Sequence, residues 1–341
     1  MISRKQILLL IGFAFLAVIL FAMDLLVGSV DISLKSLLER ILSGRDNSSI
    51  SLIVFDFRIP KALSAIIIGA GLSVSGILMQ SLFRNPLAGP YVLGVSSGAS
   101  LAVAIYVLAG GMGLILVSSS PWILALFAIL GSLSVLLLVL LISIRVRDSV
   151  SLLIIGIMLS GIASSLVSVL QYFSTPELLQ HFIIWTFGSL SGINYSQLKL
   201  MIPLVLIGIT AALFMQKSLN VLMLGDNYTK VLGVSIRRLR TEIIITTGII
   251  TGIITAFAGP IVFIGVAVPH LGRSIFKTND HRILILATVF IGAALMLICD
   301  MVSNIPGLST SLPINSVTSL IGAPVIIWII IKNRRLRTAN F

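Results

Sequence analysis

Apolar runs of about twenty residues recur from one end of this chain to the other, each long enough to cross a hydrocarbon core of about 30 Å as one helix. Inside a bilayer no water reaches the backbone. Each crossing segment must therefore satisfy its own amides and carbonyls, which a helix does and an isolated strand does not. Ten spans fit the pattern: 6–27, 59–82, 91–110, 122–144, 150–172, 198–215, 242–257, 261–268, 283–302 and 312–331. The expected fold is an all-α polytopic membrane protein, with residues 1–341 forming one domain. Only 10% of its residues are charged, against about 25% in a soluble domain, which excludes a soluble enzyme.

The net charge of +12 would suit nucleic acid, but its distribution does not. The basic residues fall in short loops between apolar runs, with no basic stripe interleaved with aromatics. With the N-terminus inside, 17 of the 23 Lys and Arg residues are internal and 6 external. This bias places both termini in the cytoplasm and requires an even number of spans. Arg4 and Lys5 before an apolar run imitate a signal peptide, but residues 21–24 make a poor cleavage site, so the run reads as the first span. Between the first two spans, 28–58 reads as an external loop whose residues 33–42 have helical apolar spacing and lie along the membrane surface. A short external helix is expected within 175–196. The longest internal polar stretch is 216–240.

Residues 84–98, RNPLAGPYVLGVSSG, differ from the runs around them. Pro86 and Pro90 lack the amide that extends a helix and so mark a turn. Gly94 and Gly98, four residues apart, suit a close approach of another backbone in a membrane helix. The stretch resembles the signature of permease subunits from ATP-driven importers of iron chelates, haem and cobalamin (the FecCD type), many of which carry Asp where this chain has Gly89.

Three more segments carry the resemblance. The run 261–282, IVFIGVAVPHLGRSIFKTNDHR, matches the family pattern at Gly265, Pro269, His270, Arg273, Asp280, His281 and Arg282. Physically, Gly259, Pro260 and Pro269 are expected to shorten the eighth span, a break tolerated where a helix is buried or lines a cavity. The run 224–240, LGDNYTKVLGVSIRRLR, resembles the family's coupling loop, with Thr229 and Lys230 near the usual Ala. The resemblance implies that Leu224, Gly225, Asp226, Lys230, Leu232 and Gly233 form short helices docking on an ATPase. Residues 312–324 resemble the family's last motif, with Asn315 where Gly is common. Arg58 and Lys61 form a basic pair at the external mouth of the second span, where snorkelling to the interface is the plain reading. By resemblance they pair with carboxylates of a soluble binding protein. A third docking cation of some relatives falls near Asn304.

Other chemistry is weakly supported. Residues 94–98 match G-x-S-x-G, but that motif needs a strand before the Ser, and a proline turn stands there. His181 falls externally and His270 and His281 internally, so no catalytic pairing or metal site follows. His270 and His281 read as polar groups at a helix end facing a partner protein. The single Cys299 forms no disulfide framework. Asp24 and Asp300, at span ends, read as solvated at the interface.

No G-x-x-x-x-G-K-[ST] is present, so any nucleotide site lies on another polypeptide. The resemblance implies a type II importer permease that binds no cofactor itself, with ATP and Mg on the partner ATPases. It further implies a second permease copy or close paralogue, two cytoplasmic ATPases and an external binding protein, in a bacterial or archaeal cytoplasmic membrane. The fifth span is expected to line the pathway, with Ser149 and Ser151 as gate candidates. Among cargoes an iron chelate is favoured. The alternative is a secondary carrier driven by an ion gradient.

Overall fold

The computed structural model describes residues 3–28, 30, 32–46, 48–110, 120–146, 148–305 and 311–338. Every regular element among them is helical. Ten helices correspond to the expected spans: α1 (Arg4–Asp24), α4 (Ile59–Phe83), α5 (Val95–Gly110), α6 (Pro121–Arg145), α7 (Ser149–Tyr172), α9 (Tyr195–Leu222), α11 (Ile236–Ala258), α12 (Ile264–Phe276), α13 (His281–Ser303) and α14 (Ile314–Thr338). Four shorter helices connect them: α2 (Leu34–Ser43), α3 (Ser49–Leu52), α8 (Pro176–Phe187) and α10 (Asp226–Val231). The external helices expected near 33–42 and within 175–196 are α2 and α8. The loop expected between spans three and four lies largely outside the described residues.

Burial separates a centre from a periphery. The most apolar window is 83% buried in the helical column Ser49–Phe83, which contains α4, and 72% buried in α11 and α13, against 17% in α7 and 6% in α1. Small residues put α4 at the centre. At Gly69 an added Cβ would lie 2.2 Å from the Gly292 carbonyl oxygen of α13, and at Gly76 it would lie 1.7 Å from the Gly265 oxygen of α12. Only a hydrogen fits at either place. The helices meet backbone to backbone, the route by which membrane helices gain packing without a hydrophobic driving force between them. Hydroxyls in this crowded seam turn inward on their own helix: Ser73 donates to Gly69 O and Ser81 to Ile77 O. A second apolar cluster joins α5, α6 and α8 around Tyr106, Ala128 and Phe182. Gly98 meets Gly131 of α6 at its base, as the small-residue spacing predicts.

Several boundaries differ from the sequence expectation. Helix α12 does not stop near Pro269 but runs on to Phe276. Pro269 removes the bond that Gly265 O would have accepted, and that carbonyl instead faces the Cα–H of Gly76, a weak but recurrent partner at helix contacts. At about 1.5 Å per residue, the 13 residues of α12 alone are shorter than the hydrocarbon core. Residues 49–58, expected in a loop, are helical: α3 passes through a π-helical stretch, Ile53–Arg58, straight into α4. The stretch 216–240 is also mostly helical, because α9 extends to Leu222 and α11 begins at Ile236.

Replacing Gly76 with Val should strain the α4–α12 seam by about 1–3 kcal/mol, the usual cost of overpacking. Thermal unfolding of the purified chain in detergent should show this as a clear loss. Gly12→Val, where a Cβ meets nothing within 4 Å, should leave the midpoint nearly unchanged.

Candidate functional site

One end of the bundle collects the sequence motifs that stood far apart in the chain. Helix α4 ends at Arg84, whose φ of 46° turns the chain sharply out of the helix. Its guanidinium donates to Leu222 O at the end of α9 (3.0 Å) and pairs with Asp226, the first residue of α10. Asn85 accepts the Leu87 amide in an Asx turn (2.9 Å), and Pro86 O accepts from His270 Nε2 of α12 (2.7 Å). Arg273, one turn on, donates to Gln80 Oε1 of α4. Gly94, at φ 79°, closes the 3₁₀ turn Pro90–Leu93 before α5 starts. Thus Arg84, Pro86, His270, Arg273 and Asp226 form one continuous polar seam.

Sequence reasoning named His281 and Asp280 but missed Ser81 and Asn220, which complete this seam with them. His281, only 2% exposed, sits between Ser81 Oγ on Nε2 and Asn220 Oδ1 on Nδ1, both at 2.7 Å. Asn220 also donates to Asp280 Oδ1 at 2.7 Å. Burial pushes the Asp280 carboxyl up, but hydrogen bonds from the Arg282 amide and Asn220 outweigh it and hold the group below the usual carboxylate range. His281 therefore staples the chain to itself rather than facing a partner, which corrects the expectation for that residue, while His270 stays half-buried. The available signal was Asn220, a lone amide close to the end of a long apolar run.

Helix α10 hangs from this seam. Thr229, fully buried, donates to Val221 O and Gly225 O and holds the helix against α9. Gly225 (φ 105°) and Gly233 (φ 77°) supply the turns on either side, which a Cβ would strain. The opposite face is bare: Leu224, Tyr228, Val231 and Leu232 are 57–85% exposed. Lys230 is exposed beside them. An apolar row at helical spacing, on a knob held rigid from behind, is a docking surface in form.

At the same end, Asp148 caps α7 by accepting from the Ser151 amide (2.7 Å) and hydroxyl (2.9 Å). Those bonds from Ser151 hold the Asp148 carboxyl below its usual range. Ser151 is exposed and Ser149 half-buried.

The opposite end holds a second cluster. Lys61 Nζ lies 2.8 Å from Asp300 Oδ2 and 4.0 Å from Asp24 Oδ1, joining α4, α13 and α1. Asp24 is fully buried and Asp300 is 2% exposed, so the expectation of interface solvation is overturned. Arg58, 5% exposed, donates to Leu25 O (2.7 Å), Leu26 O (2.9 Å) and Val30 O. Arg58 and Lys61 are thus not the outward-pointing cations that the sequence suggested. Both line a cavity of about 240 Å³ together with Val27, Phe57, Ser191 and Asn304. Asn304, where some relatives carry a cation, bonds Asp300 through its amide nitrogen (3.1 Å to Oδ1).

A ten-helix bundle with a short helix presented at one end, and no P-loop of its own, has the architecture of the membrane permease subunit of an ABC importer. Residues 16–332 match the FecCD transport family, and the chain belongs to that family. Vitamin B12 import system permease proteins BtuC of Salmonella typhi and Salmonella newport are each 37% identical to it over 284 residues, covering 83% of this chain and 85% of theirs. A solved structure described as an inward-facing conformation of a metal-chelate type ABC transporter superposes with a TM-score of 0.83 at 32% identity. It covers 95% of this chain and 99% of that one. The protein is a multi-pass transport permease rather than an enzyme.

Changing Lys61 to Met should cost about 3–5 kcal/mol, because two buried carboxylates lose their shared cation. Adding Asp24→Asn and Asp300→Asn to that variant should restore most of the loss. Thermal melts in detergent of the parent, Lys61→Met, the Asp24→Asn/Asp300→Asn variant and the triple variant check the non-additivity.

Proposed function

We propose that this chain forms half of the translocation pathway of an importer for a bulky metal chelate, with cytoplasmic ATPases docking on α10. The observation that carries the reading is the bare apolar row Leu224, Tyr228, Val231 and Leu232 on a helix tied rigidly into the bundle. In this reading the Arg84 end is cytoplasmic, as are both termini. Residues 28–58 are the external segment and 216–240 the coupling segment of a single domain. ATP and Mg belong to the two ATPases.

Helix α7 supplies the pathway wall. Its exposed face carries Gly161, Ser164, Ser165 and Ser168 among apolar residues such as Ile157, Ile162 and Leu166, a mixed surface that suits a second copy or a pathway wall. Ser149 and Ser151 stand at its cytoplasmic mouth as the gate. On the external face a binding protein docks over the cavity beside Arg58 and Lys61. An acidic side chain reaches those cations only through that opening, because both already have partners in the bundle. The named relatives favour cobalamin as the first cargo to test, with ferric siderophore and haem beside it.

A second reading, an ion-driven carrier, draws on the buried Asp24–Lys61–Asp300 cluster, since intramembrane carboxylates often relay protons. Uptake by the assembled importer should stop on ATP depletion and survive a protonophore; the reverse pattern would establish the carrier. Val231→Asp should abolish co-purification of the ATPase while leaving the permease folded, because a charge replaces an apolar anchor at the docking face. Retention of the ATPase by that variant would remove α10 from the interface. Measurable ATP turnover by the purified chain alone would overturn the division of labour.

A further inference from the structure

The segment between α9 and α11 is tied to the rest of the bundle at both ends, and the two ties lead to different places. At the first end, Arg84 and Asp226 connect α10 to α4. Helix α4 is locked to α12 and α13 by the backbone contacts at Gly76 and Gly69, so a push delivered there meets the stiffest part of the molecule. At the second end, α11 begins at Ile236 behind the Ser235 cap. One turn in, Arg240 is 6% exposed, and its Nη1 donates to Val146 O at 2.8 Å. Val146 is the residue that ends α6, and Asp148 caps the start of α7. Helix α7 is among the most loosely held of the spans, with only 17% of its window buried.

We propose that Arg240 is the positioning residue through which movement of the coupling segment reaches the α6–α7 corner and the cytoplasmic end of α7. Arg84 serves as the anchor that the movement pivots against. A charged donor on a helix-end carbonyl is a strong link, because the guanidinium is held in place and the carbonyl has no partner further along its own helix. It joins the base of α11 to the α6–α7 corner. A purely structural arginine would stabilise the same corner; what separates the two roles is whether α7 still responds to the ATPase when the link is cut.

The inference rests on the reading of α10 as the ATPase dock, and its test keeps the two apart. The full-length chain carrying Val150→Cys, exposed near the start of α7, is assembled with its ATPase and binding protein in proteoliposomes. Cys299 is fully buried and stays silent. Labelling by a membrane-impermeant maleimide is measured without nucleotide and with ATP and Mg, beside ATP hydrolysis by the same preparation. The parent should label at rates differing by about tenfold between the two conditions, the size of an ordinary coupling between sites. In Arg240→Met the rates should become equal while hydrolysis continues, and Arg240→Lys should restore part of the difference. Persistent nucleotide-dependent labelling in Arg240→Met overturns the proposal, and so does loss of hydrolysis and labelling response together. Should Arg240→Met fail to assemble, Arg240→Lys decides: a response as large as the parent's at the same hydrolysis rate overturns the proposal, and a reduced one supports it. A parent complex that neither hydrolyses ATP nor changes its labelling sinks the ATPase-dock reading itself.

Discussion

Contact between bare backbones organises this molecule. Where α4 crosses α13 and α12, glycine faces a carbonyl, and the helices approach as closely as peptide groups allow. Lipid tails are as apolar as leucine, so burial of apolar side chains does little to draw helices together in a bilayer. Dispersion contacts between closely fitted surfaces do that instead. The three helices consequently behave as one rigid body. Its price is intolerance: a single methyl group at Gly76 has nowhere to go.

Rigidity at the centre explains why so many polar side chains gather at the Arg84 end of α4. Gln80, Ser81 and Arg84 each reach a different helix, and through His281 and Asn220 they also reach α9. Buried polar groups are costly unless satisfied, and these satisfy one another across long separations in the chain. At the other end the Lys61 cluster joins three helices through two carboxylates and an ammonium, with the Asp24 oxygens buried and held only by charge. Helix α10 therefore hangs from that frame, and α7 stands beside it, one of the less buried spans but seated where Gly156 meets Val92 O. In the proposed coupling, a force applied at α10 reaches α7 through Arg240.

The span count was legible because a twenty-residue apolar run has one structural solution in lipid. Span ends were less legible. Gln216–Asn220 and Arg237–Arg240 look like loop, yet they continue helices whose ends are held by distant partners. Pro269 looked like a stop, but the bond it forfeits is replaced by a contact from α4, which no local pattern reveals. The close approach at Gly98 was readable from spacing, and the α10 segment only from its resemblance to the family's coupling loop. Asp24, Lys61 and Asp300 were each noticed singly. Their union was not, because proximity between residues more than two hundred positions apart is a property of the folded bundle alone.

In the pathway proposed above, the hydroxyls of α7 have a consequence for whatever slides past them. Ser165 bonds Gly161 O and Ser168 bonds Ser164 O, each one turn back on its own helix. Their donors are already occupied, so the wall offers a passing molecule little to hold. Such a surface resembles a lubricated bearing more than a receptor: indifferent to the chemistry of its load, and leaving selection to whatever loads the entrance.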